Sequence, residues 1–249
     1  MHALSGNQDG YRHLAAEIKL RPWRGKLGNR HWLFPRIMEP FAVPMDLKIK
    51  ICGITNLEDA TAAVEAGADA LGFMFYDRSV RNVSIDRVSE IVTQIPAWVL
   101  KVGVFVDPQP DLVMSALGTC GLNMLQFHGD ESPDFCASFG VMNMKAFRVR
   151  DAASLEPMKS YRTDVFLLDS HVNGKPGGTG EKFNWDLAVQ AKKFGKPICL
   201  AGGLTPENVA EAVYRVRPFG VDVSSGVEES PGKKDHQKLW DFVTAARKA

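Results

Sequence analysis

Three reactive side chains stand at the ends of short apolar runs in this sequence. Cys52 and Asp169 each close such a run, and His128 directly follows one. A thiol and a carboxyl group can act as base and acid in proton transfer, as can an imidazole. Each also has a plainer interpretation, because a lone cysteine packs as a small hydrophobic side chain and a carboxylate after a strand anchors a loop. Proton-transfer chemistry therefore requires a fold that brings these groups to one site.

Other residues are suited to binding anions. The segment 75–81 carries Arg78 and Arg81, whose guanidinium groups either hold a carboxylate or phosphate or remain solvated. Two further segments have the glycine and hydroxyl composition of a phosphate site, in which backbone N–H groups approach the dianion. Their residues are Gly202, Gly203, Ser224, Ser225 and Gly226. The segment 174–180, which contains four glycines, is either another ligand loop or only a flexible one.

The elements that must position these residues form a repeating pattern. Apolar runs, continuous as in parallel strands covered on both faces, occur at 47–52, 69–75, 98–106, 122–127, 141–147, 163–169, 196–201 and 220–224. Amphipathic stretches between them predict helices that start near Asn56 (with Gly67 ending that helix), Ser84, Pro108, Ser132, Asp151, Asn184 and Pro206, and a last helix over 234–247. Eight strand–helix units predict an α/β fold, a single (β/α)8 barrel. Such barrels carry their chemistry at the carboxyl ends of the strands, where the reactive residues fall.

Composition excludes several classes of partner. The formal net charge of +1 is too small to favour nucleic acid or a membrane surface. No apolar run approaches the roughly 20 residues of a membrane span. The four cysteines form no C-x-x-C pair and have no histidine at metal-ligand spacing, so we expect no metal, and free thiols favour a cytoplasmic location.

Residues 1–44 differ from the rest of the chain. They hold seven Lys or Arg against three Asp or Glu, a net charge of +4, with aromatic residues at no lasting period. We expect an N-terminal extension over 1–44, disordered or lying upstream of a natural start at Met45, and a catalytic barrel over 45–249. An organellar transit peptide is the alternative, although the segment is not rich in serine.

From about Leu47 to the C-terminus the chain resembles the phosphoribosylanthranilate isomerase family. The strand 1 and strand 8 motifs together are highly specific. The matching motifs are Lys50-Ile51-Cys52-Gly53-Ile54-Thr55, Gly72-Phe73 with Ser79 and Arg81, Gln126-x-His128-Gly129, Leu168-Asp169, Gly177-Gly178-Thr179-Gly180, and Asp222-Val223-Ser224-Ser225-Gly226-Val227-Glu228 followed by Pro231-Gly232-Lys233-Lys234-Asp235.

The resemblance implies an Amadori rearrangement in tryptophan biosynthesis, without cofactor or metal, on a small phosphorylated substrate. It assigns Asp169 as the general acid that opens the furanose ring and Cys52 as the general base that removes the C2′ proton. Arg81 would hold the anthranilate carboxylate, and the glycine and serine loops after strands 7 and 8 would hold the phosphate. His128 would either orient the substrate or pack. The protein would be a monomer or a homodimer.

Two positions depart from the motifs of the family. Ala201 stands where some relatives carry serine, and Asp77 makes the strand 2 loop less basic.

Several other functions are compatible with a barrel of this kind. The fold alone also fits a phosphosugar epimerase, indole-glycerol-phosphate synthase, or the aminoaldose isomerase of histidine biosynthesis. Metal-binding histidine pairs are missing for the first, and Cys52 replaces the aspartate expected in the last. A barrel that binds sugar phosphates without turnover should have lost Cys52 or Asp169, and both are present.

Overall fold

The computed structural model describes residues 46–169 and 185–249. In this part of the chain, parallel strands β1 to β8 close into one barrel in their order along the sequence. The strands are β1 (Lys48–Cys52), β2 (Ala70–Phe75), β3 (Leu100–Phe105), β4 (Met124–Phe127), β5 (Met142–Arg148), β6 (Val165–Asp169), β7 (Ile198–Leu200) and β8 (Gly220–Val223). The predicted (β/α)8 barrel and its strand order are confirmed.

Helical segments separate successive strands. The α-helices are α1 (Leu57–Ala66), α2 (Ile85–Val92), α3 (Pro110–Cys120), α4 (Pro133–Ala137), α5 (Trp185–Ala191), α6 (Val209–Val216) and α7 (His236–Arg247). The 3₁₀ helices are Ala152–Ser160, Lys192–Phe194 and Ser225–Val227, and an antiparallel pair, β9 (Glu228–Ser230) and β10 (Lys233–Lys234), precedes α7. No helix in the described ranges is long and apolar enough to cross a membrane.

Local sequence signals explain where the first helix begins and ends. The Asn56 side chain accepts a hydrogen bond from the Asp59 backbone N–H, so it caps one of the N–H groups left open at the start of α1. The helix ends at Gly67, whose φ of 101° lies in the left-handed region. Both ends were predicted, and both are confirmed.

Four predicted helices differ from the observed ones, and two of these begin later than expected, at Pro110 and Val209 instead of Pro108 and Pro206. The segment expected to form a helix from Asp151 is a 3₁₀ helix over Ala152–Ser160, because in an α-helix the ring of Pro157 would clash with the carbonyl group four residues before it. The last helix begins at His236 rather than Lys234, since Lys234 pairs in β10 and Asp235 supplies the cap. The predicted extension 1–44 and the glycine-rich segment 174–180 lie outside the described residues.

The side chains of each barrel strand alternate between two cores. Ile49 and Ile51 of β1 belong to a large core that also contains residues of the helices, whereas Cys52 belongs to a smaller core inside the barrel. The members of this inner core are Cys52, Ala70, Val102, Val104, Met124, Met144, Ala146, Val165, Leu167, Cys199 and Ala201. Because successive side chains of a strand point to opposite faces, the inward set continues to the carboxyl ends of the strands.

A buried ion pair organises the loop that follows β4. Lys145 Nζ lies 2.8 Å from Glu131 Oε2 and donates to the Gly129 carbonyl at 2.6 Å. Glu131 in turn accepts hydrogen bonds from the backbone N–H groups of Asp107 and Gly129. The side chains of Lys145 and Glu131 are only 4% and 2% exposed, so neither charge can be solvated if the other is removed.

We therefore expect Glu131→Gln to lower the free energy of unfolding by about 3 kcal/mol, because it leaves the Lys145 ammonium buried without its counter-charge. Urea denaturation at neutral pH measures the change as a lower midpoint at constant slope. Glu156→Gln, which breaks an exposed pair with Lys159, is the matched control and should change stability little. Equal effects of the two substitutions would contradict this assignment.

Candidate active site

The reactive residues predicted from the sequence lie at the same end of the barrel. Cys52 is the last residue of β1, Asp169 is the last residue of β6, and His128 directly follows β4. Each continues the inward-facing set of its strand. The strands β7 and β8 separate β6 from β1 around the barrel, so the thiol and the carboxyl group approach the mouth from different sides.

Asp169 is held by a short chain of polar side chains. His128 Nε2 lies 3.1 Å from Asp169 Oδ2, and His128 Nδ1 lies 3.3 Å from Gln126 Nε2. A Gln126 amide that donates to Nδ1 leaves the imidazole proton on Nε2, from which it is donated to the carboxylate. The sequence predicted His128 at the mouth but did not predict its contact with Asp169. In the sequence, the only sign of these hydrogen bonds was the two-residue spacing of Gln126 and His128, which puts both side chains on one face of β4.

Cys52 lies in a buried, charged environment. Its side chain belongs to the inner core, and the residue is 5% exposed. Burial raises the pKa of the Cys52 thiol, although the neighbouring Lys50 ammonium opposes this effect. Burial therefore favours the neutral thiol, and a role as base depends on the charges around the sulfur.

Arg81 is fixed by a carboxylate of the protein itself. Its Nε and Nη2 groups donate to Glu228 Oε1 and Oε2 at 2.7 and 2.6 Å, a bidentate pair. Glu228 also binds Lys234 Nζ at 2.9 Å, and Lys234 donates to the backbone carbonyls of Cys52 and Ser224. The pairing of Arg81 with Glu228 was not predicted, since 147 residues separate them in sequence.

The loops after β7 and β8 are in direct contact. Gly202 and Gly203 have φ values of 78° and 67°, in the left-handed region. A Cβ on Gly226 would lie 1.9 Å from the Leu204 carbonyl oxygen, so only glycine allows this approach. Ser224 precedes the 3₁₀ helix Ser225–Val227. The structure thus brings the five predicted phosphate-binding residues into adjoining loops at the carboxyl end of the barrel, the usual position of a barrel phosphate site.

One cationic residue at the barrel mouth, Arg148, was not predicted from the sequence. Arg148 is the last residue of β5, pairs in register with Asp169, and is exposed. It lines a cavity of about 650 Å³ together with His128 and Arg150. Its position could have been found from the alternation of β5, because Met144 and Ala146 face inward and Arg148 follows at the same period of two.

The fold and this site define the class of the protein, a (β/α)8 barrel with a thiol, a carboxyl group and adjoining glycine loops at its mouth. Residues 49–245 match the family model for N-(5′phosphoribosyl)anthranilate (PRA) isomerase. The chain therefore belongs to this family, and the resemblance inferred from its motifs is confirmed.

Relatives in several bacteria cover the same part of the chain. The N-(5′-phosphoribosyl)anthranilate isomerase of Geotalea uraniireducens (strain Rf4) is 53% identical over 200 residues, which are 80% of this chain and 98% of the relative. That of Trichlorobacter lovleyi is 49% identical over 203 residues, 82% of this chain and 99% of the relative.

Solved structures agree with the fold. Phosphoribosyl anthranilate isomerase from Thermotoga maritima has a TM-score of 0.77 at 41% identity, and 82% of this chain matches all of that chain. A phosphoribosyl anthranilate isomerase in complex with reduced 1-(o-carboxyphenylamino)-1-deoxyribulose 5-phosphate has a TM-score of 0.74 at 40% identity, again over 82% of this chain and all of that one.

Contact between the two glycine loops leads to a prediction for Gly226→Ala. The added Cβ must push the loops apart, and each hydrogen bond to a charged ligand contributes about 1.5–3 kcal/mol, so affinity for inorganic phosphate should fall about tenfold or more. Isothermal titration calorimetry measures the change. Gly118→Ala is the control, because its added Cβ meets no atom within 4 Å beyond the adjoining backbone of its own helix. Unchanged phosphate affinity in a folded Gly226→Ala protein would place the phosphate elsewhere.

Proposed function

We propose that this chain catalyses the Amadori rearrangement of N-(5′-phosphoribosyl)anthranilate to 1-(o-carboxyphenylamino)-1-deoxyribulose 5-phosphate in tryptophan biosynthesis. The observation that carries the proposal is the position of Cys52 and Asp169 at one barrel mouth, on strands apart from each other, in a member of the isomerase family. The reaction needs a proton donor at the ring oxygen and a base at C2′. The two groups can meet these needs from two sides of a sugar lying across the mouth.

Asp169 is the proposed general acid. It donates a proton to the furanose ring oxygen, the C1′–O bond breaks, and the open-chain Schiff base forms. The contact of 3.1 Å to His128 suits both states of the carboxyl group. Nε2–H donates to the carboxylate. For Nε2 to accept from the carboxylic acid in the other tautomer, the Gln126 amide has to turn over so that its Oε1 accepts from Nδ1–H. His128 is thus proposed to orient the acid.

Cys52 is the proposed general base. Its thiolate takes the C2′ proton, and the electron pair of the C–H bond forms the C1′=C2′ bond of an enolamine, which tautomerises to the ketone. Such a step needs no metal or organic cofactor, because the protonated Schiff base accepts the electron pair. The raised pKa of the thiol makes the thiolate a strong base once it forms.

Substrate anions are proposed to bind at two places. Glu228 occupies Nε and Nη2 of Arg81, which leaves the Nη1 edge of the guanidinium to meet the anthranilate carboxylate. The loops that contain Gly203 and Ser225 are proposed to hold the phosphate. A relative's complex with a phosphorylated product analogue supports a small phosphorylated partner for this chain.

The remaining partner assignments follow from composition and from relatives. The small net charge supports the absence of a nucleic acid or membrane partner, and the free cysteines support a cytoplasmic location. One Thermotoga maritima relative is described as dimeric, with monomers generated from it. We propose a monomer or homodimer for this chain.

The assigned roles predict the effects of Cys52→Ala and Asp169→Asn. Each removes one proton-transfer group, and such groups contribute roughly 10²–10⁴-fold, so turnover should fall by at least about 10²-fold in each variant. Freshly generated phosphoribosylanthranilate, followed by loss of its fluorescence, gives the rates.

Cys120→Ala is the control for the loss of a buried thiol, since Cys120 lies in α3 and should be dispensable for turnover. A folded Cys52→Ala or Asp169→Asn protein that turns over at the wild-type rate would remove that residue from the mechanism. A folded wild type without turnover would contradict the proposed function as a whole.

A further inference from the structure

A buried ammonium group lies directly beside the Cys52 sulfur. Lys50 is two residues before Cys52 on β1, so both side chains point into the barrel. Lys50 Nζ lies 2.8 Å from Asp222 Oδ1 on β8, and the two side chains are 5% and 8% exposed. The Lys50 ammonium also acts on the Cys52 thiol, whose pKa its positive charge lowers. A charged lysine inside a barrel is costly, because its hydration is lost and has to be replaced by partners.

The neighbouring strand leaves room for this contact. A Cβ built on Gly72 of β2 would lie 2.8 Å from Cys52 Sγ and 2.9 Å from Lys50 Nζ. Both atoms therefore occupy the space that any other residue at position 72 would fill. Gly72 has no positive φ that would require a glycine. The physical reason for its presence is therefore the close approach of both the ammonium and the sulfur to this position.

Other charged or titratable groups also act on the thiol. Those that face it are Lys50 on its own strand, Asp222 on β8, Lys234 on β10, Arg81 in the loop after β2, and Cys199 on β7. Lys234 binds the backbone carbonyl of Cys52, and Arg81 is paired with Glu228. Among these described cations, Lys50 has the largest lowering effect on the pKa of Cys52, and its ammonium lies against the same Gly72 position as the sulfur.

We propose that Lys50 is a positioning residue for the catalytic base, in which its ammonium group, held by Asp222, stabilises the Cys52 thiolate that removes the C2′ proton. This rests on the proposed role of Cys52. In the step, the C2′–H bond breaks, an S–H bond forms, and the electron pair passes into the enolamine. Lys50 keeps its own proton throughout and supplies only its positive charge near the sulfur.

The charge balance of the cluster supports this role. Burial by itself lowers the pKa of Lys50, but Asp222 and Cys52 outweigh burial and raise the pKa above its ordinary value. This direction favours the charged ammonium form of Lys50. Burial raises the pKa of Cys52, and Lys50 is the largest influence that lowers it. Without Lys50, burial and the Asp222 carboxylate both disfavour the thiolate.

The test is the rate at which iodoacetamide alkylates Cys52, located by peptide mass mapping, in wild type and Lys50→Met from neutral to alkaline pH. A neighbouring opposite charge shifts a pKa by about 1–3 units. The higher nucleophilicity of a more basic thiolate offsets roughly half of this effect on the logarithm of the rate. We expect alkylation of Lys50→Met to be about tenfold slower at pH 8, with its rise with pH displaced upward, and Lys50→Arg to be closer to wild type.

Turnover and ligand binding separate this role from a structural one. Lys50→Met should lower kcat, while its affinity for reduced 1-(o-carboxyphenylamino)-1-deoxyribulose 5-phosphate stays near that of wild type. Lys101→Met is the matched control, because Lys101 is also a buried barrel lysine but donates to the backbone carbonyls of Pro96 and Ala97. Its alkylation rate and turnover should remain unchanged.

Three outcomes would overturn the proposal: an alkylation profile in folded Lys50→Met that matches wild type, the same loss in Lys101→Met, or lost affinity for the product analogue. Should Lys50→Met fail to fold, Gly72→Ala keeps the charge and separates the two groups, and a wild-type alkylation rate in that variant would be equally contrary. Turnover in Cys52→Ala would instead refute the assignment of Cys52 as the base. The alkylation rates would then still test whether Lys50 stabilises the Cys52 thiolate.

Discussion

The closed parallel barrel imposes one constraint on which every other feature of the site depends, namely that alternate side chains of each strand must point inward. Inside the barrel these positions hold mostly apolar side chains, such as Val102 and Leu167. At the carboxyl ends the same alternation presents Cys52, His128 and Asp169 to the mouth. A slip of one residue in any strand would send its reactive side chain to the outer core, so register and chemistry cannot vary independently.

The site also requires charge to be buried close to the reacting groups. Lys50, Asp222, Glu228 and Lys234 are all buried, and each has an oppositely charged partner within 2.9 Å. These pairs lie around Cys52, whose own burial disfavours ionisation. Buried pairs of this kind contribute little net stability compared with apolar packing. Their arrangement is better explained by the thiolate that the proposed mechanism requires than by stability.

Much of the architecture could be predicted from the sequence, because it depends on local patterns. Continuous apolar runs marked the strands, and Asn56 and Gly67 marked the ends of α1. Single reactive residues at the ends of those runs, such as Cys52 and Asp169, marked the mouth. The expected α-helix after Asp151 failed because amphipathic spacing does not reveal that Pro157 favours a 3₁₀ helix. The pairs Lys50–Asp222 and Arg81–Glu228 join residues far apart in sequence, and only the closure of the barrel brings them together.

The central claim is that Asp169 opens the ring and Cys52 acts only afterwards. The most direct test is a single turnover of phosphoribosylanthranilate in the presence of cyanoborohydride, which reduces the open-chain Schiff base to a stable amine. Cys52→Ala, with Asp169 intact, should accumulate the trapped amine above the protein-free background, whereas Asp169→Asn should yield only the background. Equal trapping by the two variants, or trapping by Asp169→Asn alone, would contradict the division of roles.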